Sequence, residues 1–365
     1  MQFETEKDAF LKVLQTVQNA ISTKSTLPIL SNLLMETMKN DIKITATDLD
    51  IGISSSLSVN PKMQGAVTIP AKKLLDIIKE LPNNSVVSIL LKKNNTVFID
   101  CGKTHFKIVG LPKDEFPQPP EFKDTESIIL PQKILKEMIS LTVFAVSRDE
   151  TRYVLNGVLF IIKDKKIKFV ATDGRRLAVI ERELPEKTVL EKEVIIPTKT
   201  AQELSKILDD ENNVRILFSE NQIFFDMGKT KIISRLVEGE FPNYKQVIPE
   251  EIREKIKVNR AKLLSAARRA SLFTNQDSLA VKLDISKNKM IISKNAPYIG
   301  ELKEELDINY KGKNIAIGFN PTYIIELLKN LNQEDIDFEI GNVDKPGVIR
   351  IGGEYIYVVL PMQLT

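Results

Sequence analysis

The sequence predicts an α+β fold made of three repeated domains, and three observations carry that prediction. The block Val67-Thr68-Ile69-Pro70 returns as Val194-Ile195-Ile196-Pro197 and, in a more worn copy, as Ile315-Ala316-Ile317-Gly318-Phe319-Asn320-Pro321. Flanking signatures keep the same spacing: Ala46-Thr47-Asp48 and Ala171-Thr172-Asp173 stand 125 residues apart, as do Glu115-Phe116-Pro117 and Glu240-Phe241-Pro242. Within each unit, stretches of helical periodicity alternate with short strand-like runs and polar turns, so helices cover one face of antiparallel sheets. A period of roughly 120 residues is that of a whole small domain and is too long for a solenoid repeat. The boundaries fall at 1–122, 123–247 and 248–365.

In the first unit a strand at Gln2 to Thr5 leads into a helix with Phe10, Leu14, Val17 and Ile21 along one face. Leu30 to Thr37 and Asp41 to Thr47 read as strands, and Pro70 suits the first turn of a second helix carrying Leu74, Ile78 and Leu81. Val86 to Leu91, Val97 to Cys101 and Phe106 to Gly110 follow as a hairpin-rich pattern. The second unit repeats the order: strand Ser127 to Leu130, helix from Pro131 to about Ser147, strands Leu155 to Ile162 and Lys166 to Ala171, and helix Pro197 to Leu208. In the third, helices are expected at about Asn259 to Phe273 and Asn320 to Leu331. Segments near Pro117 to Asp124 and Tyr244 to Glu254, rich in proline and charge, read as linkers.

Composition narrows the function classes. With 365 residues and 42% hydrophobic content the chain can bury a core in every domain. A lone cysteine, Cys101, excludes a disulfide framework, and no apolar run approaches membrane-spanning length, so a soluble cytoplasmic protein without membrane partners is expected. No phosphate loop, zinc motif, nucleophile elbow or dinucleotide fingerprint is present, and no cofactor or metal is expected. His105 reads as an exposed strand residue, Cys101 as a small buried hydrophobe, and Asp48 and Asp173 as turn caps. The basic residues say more: from Asn259 to Gln276 the predicted helix carries Arg260, Lys262, Arg268 and Arg269 and no acid. Repeat-related helices of mostly positive balance suit position-tolerant attraction to phosphates, and without aromatic platforms a duplex is the better fit.

Several longer signatures then carry a resemblance. Thr-Leu-Pro-Ile-Leu-Ser-Asn-Leu-Leu (26–34), Arg-Tyr-Val-Leu-Asn-Gly-Val-Leu-Phe (152–160), Ala-Thr-Asp-Gly-Arg-Arg-Leu-Ala-Val (171–179), Gly-Glu-Phe-Pro-Asn-Tyr (239–244) and the terminal Tyr-Val-Val-Leu-Pro-Met-Gln-Leu resemble the bacterial DNA polymerase III beta subunit, the sliding-clamp family, along the whole chain. That resemblance implies the DNA-clamp fold and a non-catalytic processivity factor. It implies a head-to-tail homodimeric ring, two helices of each domain facing inward and sheets outside, which slides on double-stranded DNA and tethers its polymerase.

By the same resemblance a peptide pocket between domains two and three serves the DNA polymerase III alpha subunit, the clamp loader, other polymerases and repair proteins. Its matching positions are Leu155, Thr172, Gly174, Arg175, Arg176, Leu177, Pro242, Gln246, Val247, Val343, Val358, Val359, Leu360, Pro361 and Met362. Gln246 and Gln363 stand where the family often has arginine, so charge-assisted contacts there are weaker or replaced. DNA-contact candidates by matched position are Lys24, Lys72, Arg148, Tyr153 and Lys199, with Arg268 and Arg269 added from charge. Ring closure is expected to pair the edge around Lys103 to Ile108, including Phe106, with a strand near Tyr298 to Leu302, Leu272 and Phe273 packing beside it. Two other classes remain open on the residues alone: an enzyme using the Asp48 and Asp173 loops, and a protein-only scaffold.

Overall fold

The computed structural model describes residues 1–21, 27–118, 126–184, 190–250, 254–276 and 278–364. They form two compact units, one of residues 1–133 with 206–236 and one of 134–205 with 237–365, so the division runs through the middle repeat. In the first unit a four-stranded sheet runs in the order Gln2–Glu6, Val86–Leu91, Thr96–Cys101, Thr104–Val109. An eight-stranded sheet runs Ala66–Pro70, Asn32–Thr37, Asp41–Thr47, Ile51–Ser58, Thr230–Arg235, Gln222–Asp226, Asn213–Phe218, Ser127–Pro131. Its central joint is antiparallel and sets Gly52 opposite Ile233.

The second unit has the same plan. Its long sheet runs Lys192–Pro197, Gly157–Lys163, Lys166–Thr172, Arg176–Glu183, Tyr355–Val359, Gly347–Ile351, Asp335–Glu339, Lys255–Asn259. The joint here sets Leu177 opposite Val358. A four-stranded sheet runs Gly300–Asp307, Lys289–Ala296, Val281–Ser286, Ile315–Phe319.

Helices α1 (Lys7–Val17), α2 (Ala71–Glu80), α3 (Gln132–Ser140), α4 (Thr198–Ile207), α5 (Arg260–Ser271) and α6 (Pro321–Asn330) occur where the 3.6-residue pattern places them. In α1, Phe10, Leu14 and Val17 are buried and Phe3 meets Phe10 edge to face at 6.3 Å. Ile21 lies past the end of α1, beyond a turn of 3₁₀ helix. In α2, Leu74 and Ile78 are sealed from solvent and the exposed face keeps Lys72 and Lys73.

Four expectations are corrected. Pro70, Pro131 and Pro197 do not open helices; each is the last residue of a sheet-edge strand, where a missing N–H costs least. Pro321 does open α6, and Asn320 Oδ1 accepts from the Thr322 N–H at 2.9 Å as its cap. Helix α3 stops at Ser140 instead of about Ser147, because Thr142 turns its hydroxyl back onto the Met138 and Ile139 carbonyls, and Val143–Ala145 continues as 3₁₀ helix. The strands Ile51–Ser58 and Arg176–Glu183 went unforeseen, because each gains its outer partner from a strand some 180 residues further along the chain. Finally, the supposed linker at Tyr244 is a 3₁₀ turn, Tyr244–Val247, whose tyrosine packs in a core with Leu155, Phe241, Val348 and Val358.

Candidate functional site

The site begins with a turn. Between strands Lys166–Thr172 and Arg176–Glu183 the chain must reverse within three residues, and Thr172-Asp173-Gly174 supplies the chemistry for it. Thr172 Oγ1 donates to the Arg176 carbonyl at 2.6 Å and accepts from the Gly174 N–H at 3.1 Å. Asp173 Oδ1 accepts from the N–H groups of Arg175 and Arg176, at 2.8 and 3.1 Å. Gly174 sits at φ +86°, a left-handed conformation that glycine adopts without strain. Asp48 caps the matching turn of the first unit in the same manner, so both aspartates are turn-forming groups.

The turn aims Arg176 into the interior, where its side chain is only 6% exposed. Its Nε donates to Asp173 Oδ2 at 3.0 Å, Nη1 to Glu326 on α6, and Nη2 to the Phe144 carbonyl. The guanidinium plane also lies 4.5 Å from the Tyr323 ring centroid. Burial disfavours the charge, yet the Tyr357 hydroxyl, Glu326 and Asp173 outweigh it and hold the guanidinium pKa above its ordinary value. A buried cation with two carboxylates and a carbonyl is thus the rigid post of the site.

Beside this post is a cavity of about 170 Å³ lined by Leu155, Thr172, Gly174, Arg175, Arg176, Leu177, Pro242, Asn243, Tyr244, Val247, Val358 and Leu360. Its floor belongs to the core cluster of Leu155, Leu177, Tyr244 and Val358, so the walls are fixed by packing. Val247 and Leu360, 53% and 42% exposed, leave apolar surface at the mouth. Of the expected positions, Gln246, Val343, Val359, Pro361 and Met362 lie outside this lining. Val359 is buried next to Val358, as strand alternation requires of neighbours on opposite faces. Met362 is held by its N–H on the Gly318 carbonyl at 2.8 Å, while Gln246 and Val343 are exposed. Asn243 and Tyr244 were missed, although an Asn ahead of a short turn is a capping signal; its Oδ1 accepts from the Lys245 N–H at 3.3 Å.

The cationic candidates divide by what holds them. Lys24 lies outside the described residues. Lys72 and Lys199 are exposed on α2 and α4, and Tyr153 is 60% exposed. Arg148 is almost wholly exposed, its Nη2 3.8 Å from Glu326, the same carboxylate that holds Arg176. On α5, Arg268 is exposed, but Arg269 grips Glu304 with two nitrogens and Arg260 donates to the Leu328 and Gln333 carbonyls at the end of α6. The acid-free run therefore presents fewer available cations than its sequence suggests.

Two sheet edges complete the inventory. Thr104–Val109 ends its sheet, with His105, Lys107 and Val109 exposed and Phe106 half-buried. His105 Nδ1 is 2.6 Å from Asp100, and Cys101 is buried with its thiol on Ser85. Gly300–Asp307 ends the other short sheet and carries exposed Glu301, Glu305 and Asp307. Near it Leu272 is 77% and Ile299 64% exposed, and Phe273 lies by Gly300. No helix among the described residues is long and apolar enough to cross a membrane.

Repeated helix-and-sheet domains, short sheets with open edge strands and a small preformed apolar cavity define the class: a repeat-domain protein with a cavity of the kind that takes apolar anchors. The N-terminal, central and C-terminal domain patterns of the DNA polymerase III beta subunit match residues 1–120, 129–243 and 245–363. The beta sliding clamp of Escherichia coli (strain K12) is 32% identical over 374 residues, spanning 100% of both chains. The sliding clamp of Bartonella birtlesii, solved with griselimycin bound, superposes with TM-score 0.94 at 34% identity, and that of Bacillus subtilis with 0.93 at 31%, each covering 100% of both chains. This chain belongs to the DNA polymerase III beta-subunit family, the sliding clamps: three-domain, non-catalytic processivity factors of DNA polymerase.

Proposed function

We propose that two copies of this chain, each with domains at 1–122, 123–247 and 248–365, close head to tail into a ring around double-stranded DNA. The ring tethers the DNA polymerase III alpha subunit through the cavity of Leu155, Leu177, Val358 and Leu360. The clamp loader, other polymerases and repair proteins use the same cavity through short segments with aliphatic and aromatic anchors. The protein works in the cytoplasm and needs no membrane partner. The observation that carries this reading is the cavity, apolar and rigid, with the Thr172–Arg176 turn offering polar groups at its margin. Two features support closure: the lysine-bearing edge Thr104–Val109 and the acid-rich edge Gly300–Asp307 are complementary in charge, and pairing them covers two open strands. The two-fold symmetry of such a dimer lets unlike ends meet twice. Held topologically, DNA requires only phosphate attraction from groups such as Lys24, Lys72, Arg148, Tyr153, Lys199 and Arg268, which leaves sliding free of base-specific barriers.

Leu360→Asp tests the tethering. A carboxylate at the cavity mouth opposes apolar anchors without touching the core, since Leu360 is 42% exposed. A labelled Gln-Leu-Ser-Leu-Phe peptide is expected to bind about tenfold or more weakly, and primer extension products to shorten toward their length without clamp. Full-length products with the variant count against the assignment.

A further inference from the structure

The repeat that shapes the cavity at Leu155 and Val358 shapes a counterpart in the first unit. After strand Asp41–Thr47, Thr47 Oγ1 donates to the Ile51 carbonyl at 2.9 Å and accepts from the Leu49 N–H at 3.0 Å. Asp48 Oδ1 accepts from the N–H groups of Asp50 and Ile51, at 3.0 and 2.8 Å. These are the bonds of Thr172 and Asp173, repeated, and Leu49 even holds φ +81° where Gly174 holds +86°. The next strand crosses between repeats in the same register, Gly52 opposite Ile233 as Leu177 is opposite Val358. Pro117 takes the place of Pro242, and both line their cavities. This second cavity measures about 680 Å³ against about 170 Å³ for the first.

Its chemistry has diverged. Gly52 replaces Leu177, and a Cβ there would lie 2.8 Å from Ile233 Cγ2, so the leucine that narrows the first cavity is excluded from the second. Arg235 replaces Leu360, and Asp50 replaces Arg175. Lys43, Arg215, Lys231 and Arg235 outnumber Asp50 and Asp226 along the walls. Lys231 pairs with Asp226 at 3.1 Å, and Arg235 reaches Asp50 only at 3.9 Å between two exposed groups. Lys43 and Arg215 have no carboxylate within ion-pair distance among the described residues; Arg215 Nε donates only to Ser127. Ile233, Phe224 and Leu217 stand opposite one another in a row across the sheet, next to the row of Lys231, Asp226 and Arg215, and Leu49 joins the lining from the turn.

We propose that this groove is a second docking site, taking an extended partner segment in which acidic side chains alternate with aliphatic or aromatic ones. Two cations that have no carboxylate partner among the described residues call for an anionic ligand, and the apolar row beside the one that holds Arg215 calls for anchors that a phosphate backbone lacks. An extended peptide meets both demands, because its successive side chains point to opposite sides. The greater volume accommodates more of such a segment than the first cavity does.

The test uses the full chain and a fluorescein-labelled Gly-Asp-Leu-Glu-Phe-Gly peptide followed by polarisation. Binding is expected to saturate, weaken as salt rises, and fall about tenfold or more in Lys43→Glu combined with Arg215→Glu. The neutral pair Lys43→Gln and Arg215→Gln, which keeps comparable stems, gives a smaller fall in the same direction. Leu360→Asp leaves this binding unchanged while weakening Gln-Leu-Ser-Leu-Phe, so the two sites report separately. The proposal is overturned by absence of saturable binding, by equal binding to both charge variants and wild type, or by loss in Leu360→Asp instead. It is overturned equally if a single-stranded oligonucleotide binds with Lys43 and Arg215 dependence and the peptide does not.

Discussion

Arg176→Ala is expected to destabilise the unit of residues 134–205 and 237–365 by about 3–5 kcal/mol, the scale for breaking a buried charge pair from one side. Deletion removes the side-chain donors to Asp173 Oδ2 and Glu326 and the contact under Tyr323, and it leaves Glu326 facing the void with a long approach to Arg148. Calorimetry should show the transition of this unit shifted down, with that of the other unit in place. Arg176→Lys should recover little, because one ammonium cannot serve Asp173, Glu326 and the Phe144 carbonyl in three directions. Peptide affinity at the cavity should fall along with stability, since the turn that forms one wall is held by the same guanidinium. A loss below about 1 kcal/mol, the scale of an exposed pair, contradicts the role given to this residue.

The second large effect concerns ring closure. Leu272 is 77% exposed close to the acid-rich edge, and its bond to the end of α5 is made by the main-chain N–H, so Leu272→Asp should leave each subunit folded. It adds a charge where the proposed partner edge brings apolar surface, and a heterologous contact formed twice suffers twice. Sedimentation should shift from a dimer to a 41.3 kDa species at concentrations where the parent stays paired. Phe106→Asp on the other edge should act alike, and the two together should add little beyond either alone. A variant that remains dimeric excludes this edge from the contact.

Much of this was legible in the sequence because the repeat prints each structural device more than once. Thr-Asp at 47–48 and 172–173 marks the turn, and Phe-Pro at 116–117 and 241–242 marks the repeat, whose two prolines line the two cavities. Buried helix faces were readable from period alone, as at Leu74 and Ile78. What stayed hidden depends on distant partners. Ile51–Ser58 carries a run of serines that signals no strand, and becomes one by pairing with Thr230–Arg235. Glu326 looks like a solvated helix residue, and its bond to Arg176 spans 150 positions. Charge runs misled for the same reason: Arg260 and Arg269 seemed available, yet each is spent on a local carbonyl or carboxylate. A sequence shows how many cations a helix carries, and only the fold shows which are already engaged.

The central claim is topological retention, and nicked circular DNA tests it most directly. Protein loaded onto the circle should stay through gel filtration in salt high enough to remove ordinary phosphate-bound proteins, and should run off once a restriction enzyme cuts the circle. Release from circle and linear DNA at the same rate, or loss from the circle that simply follows salt, contradicts it.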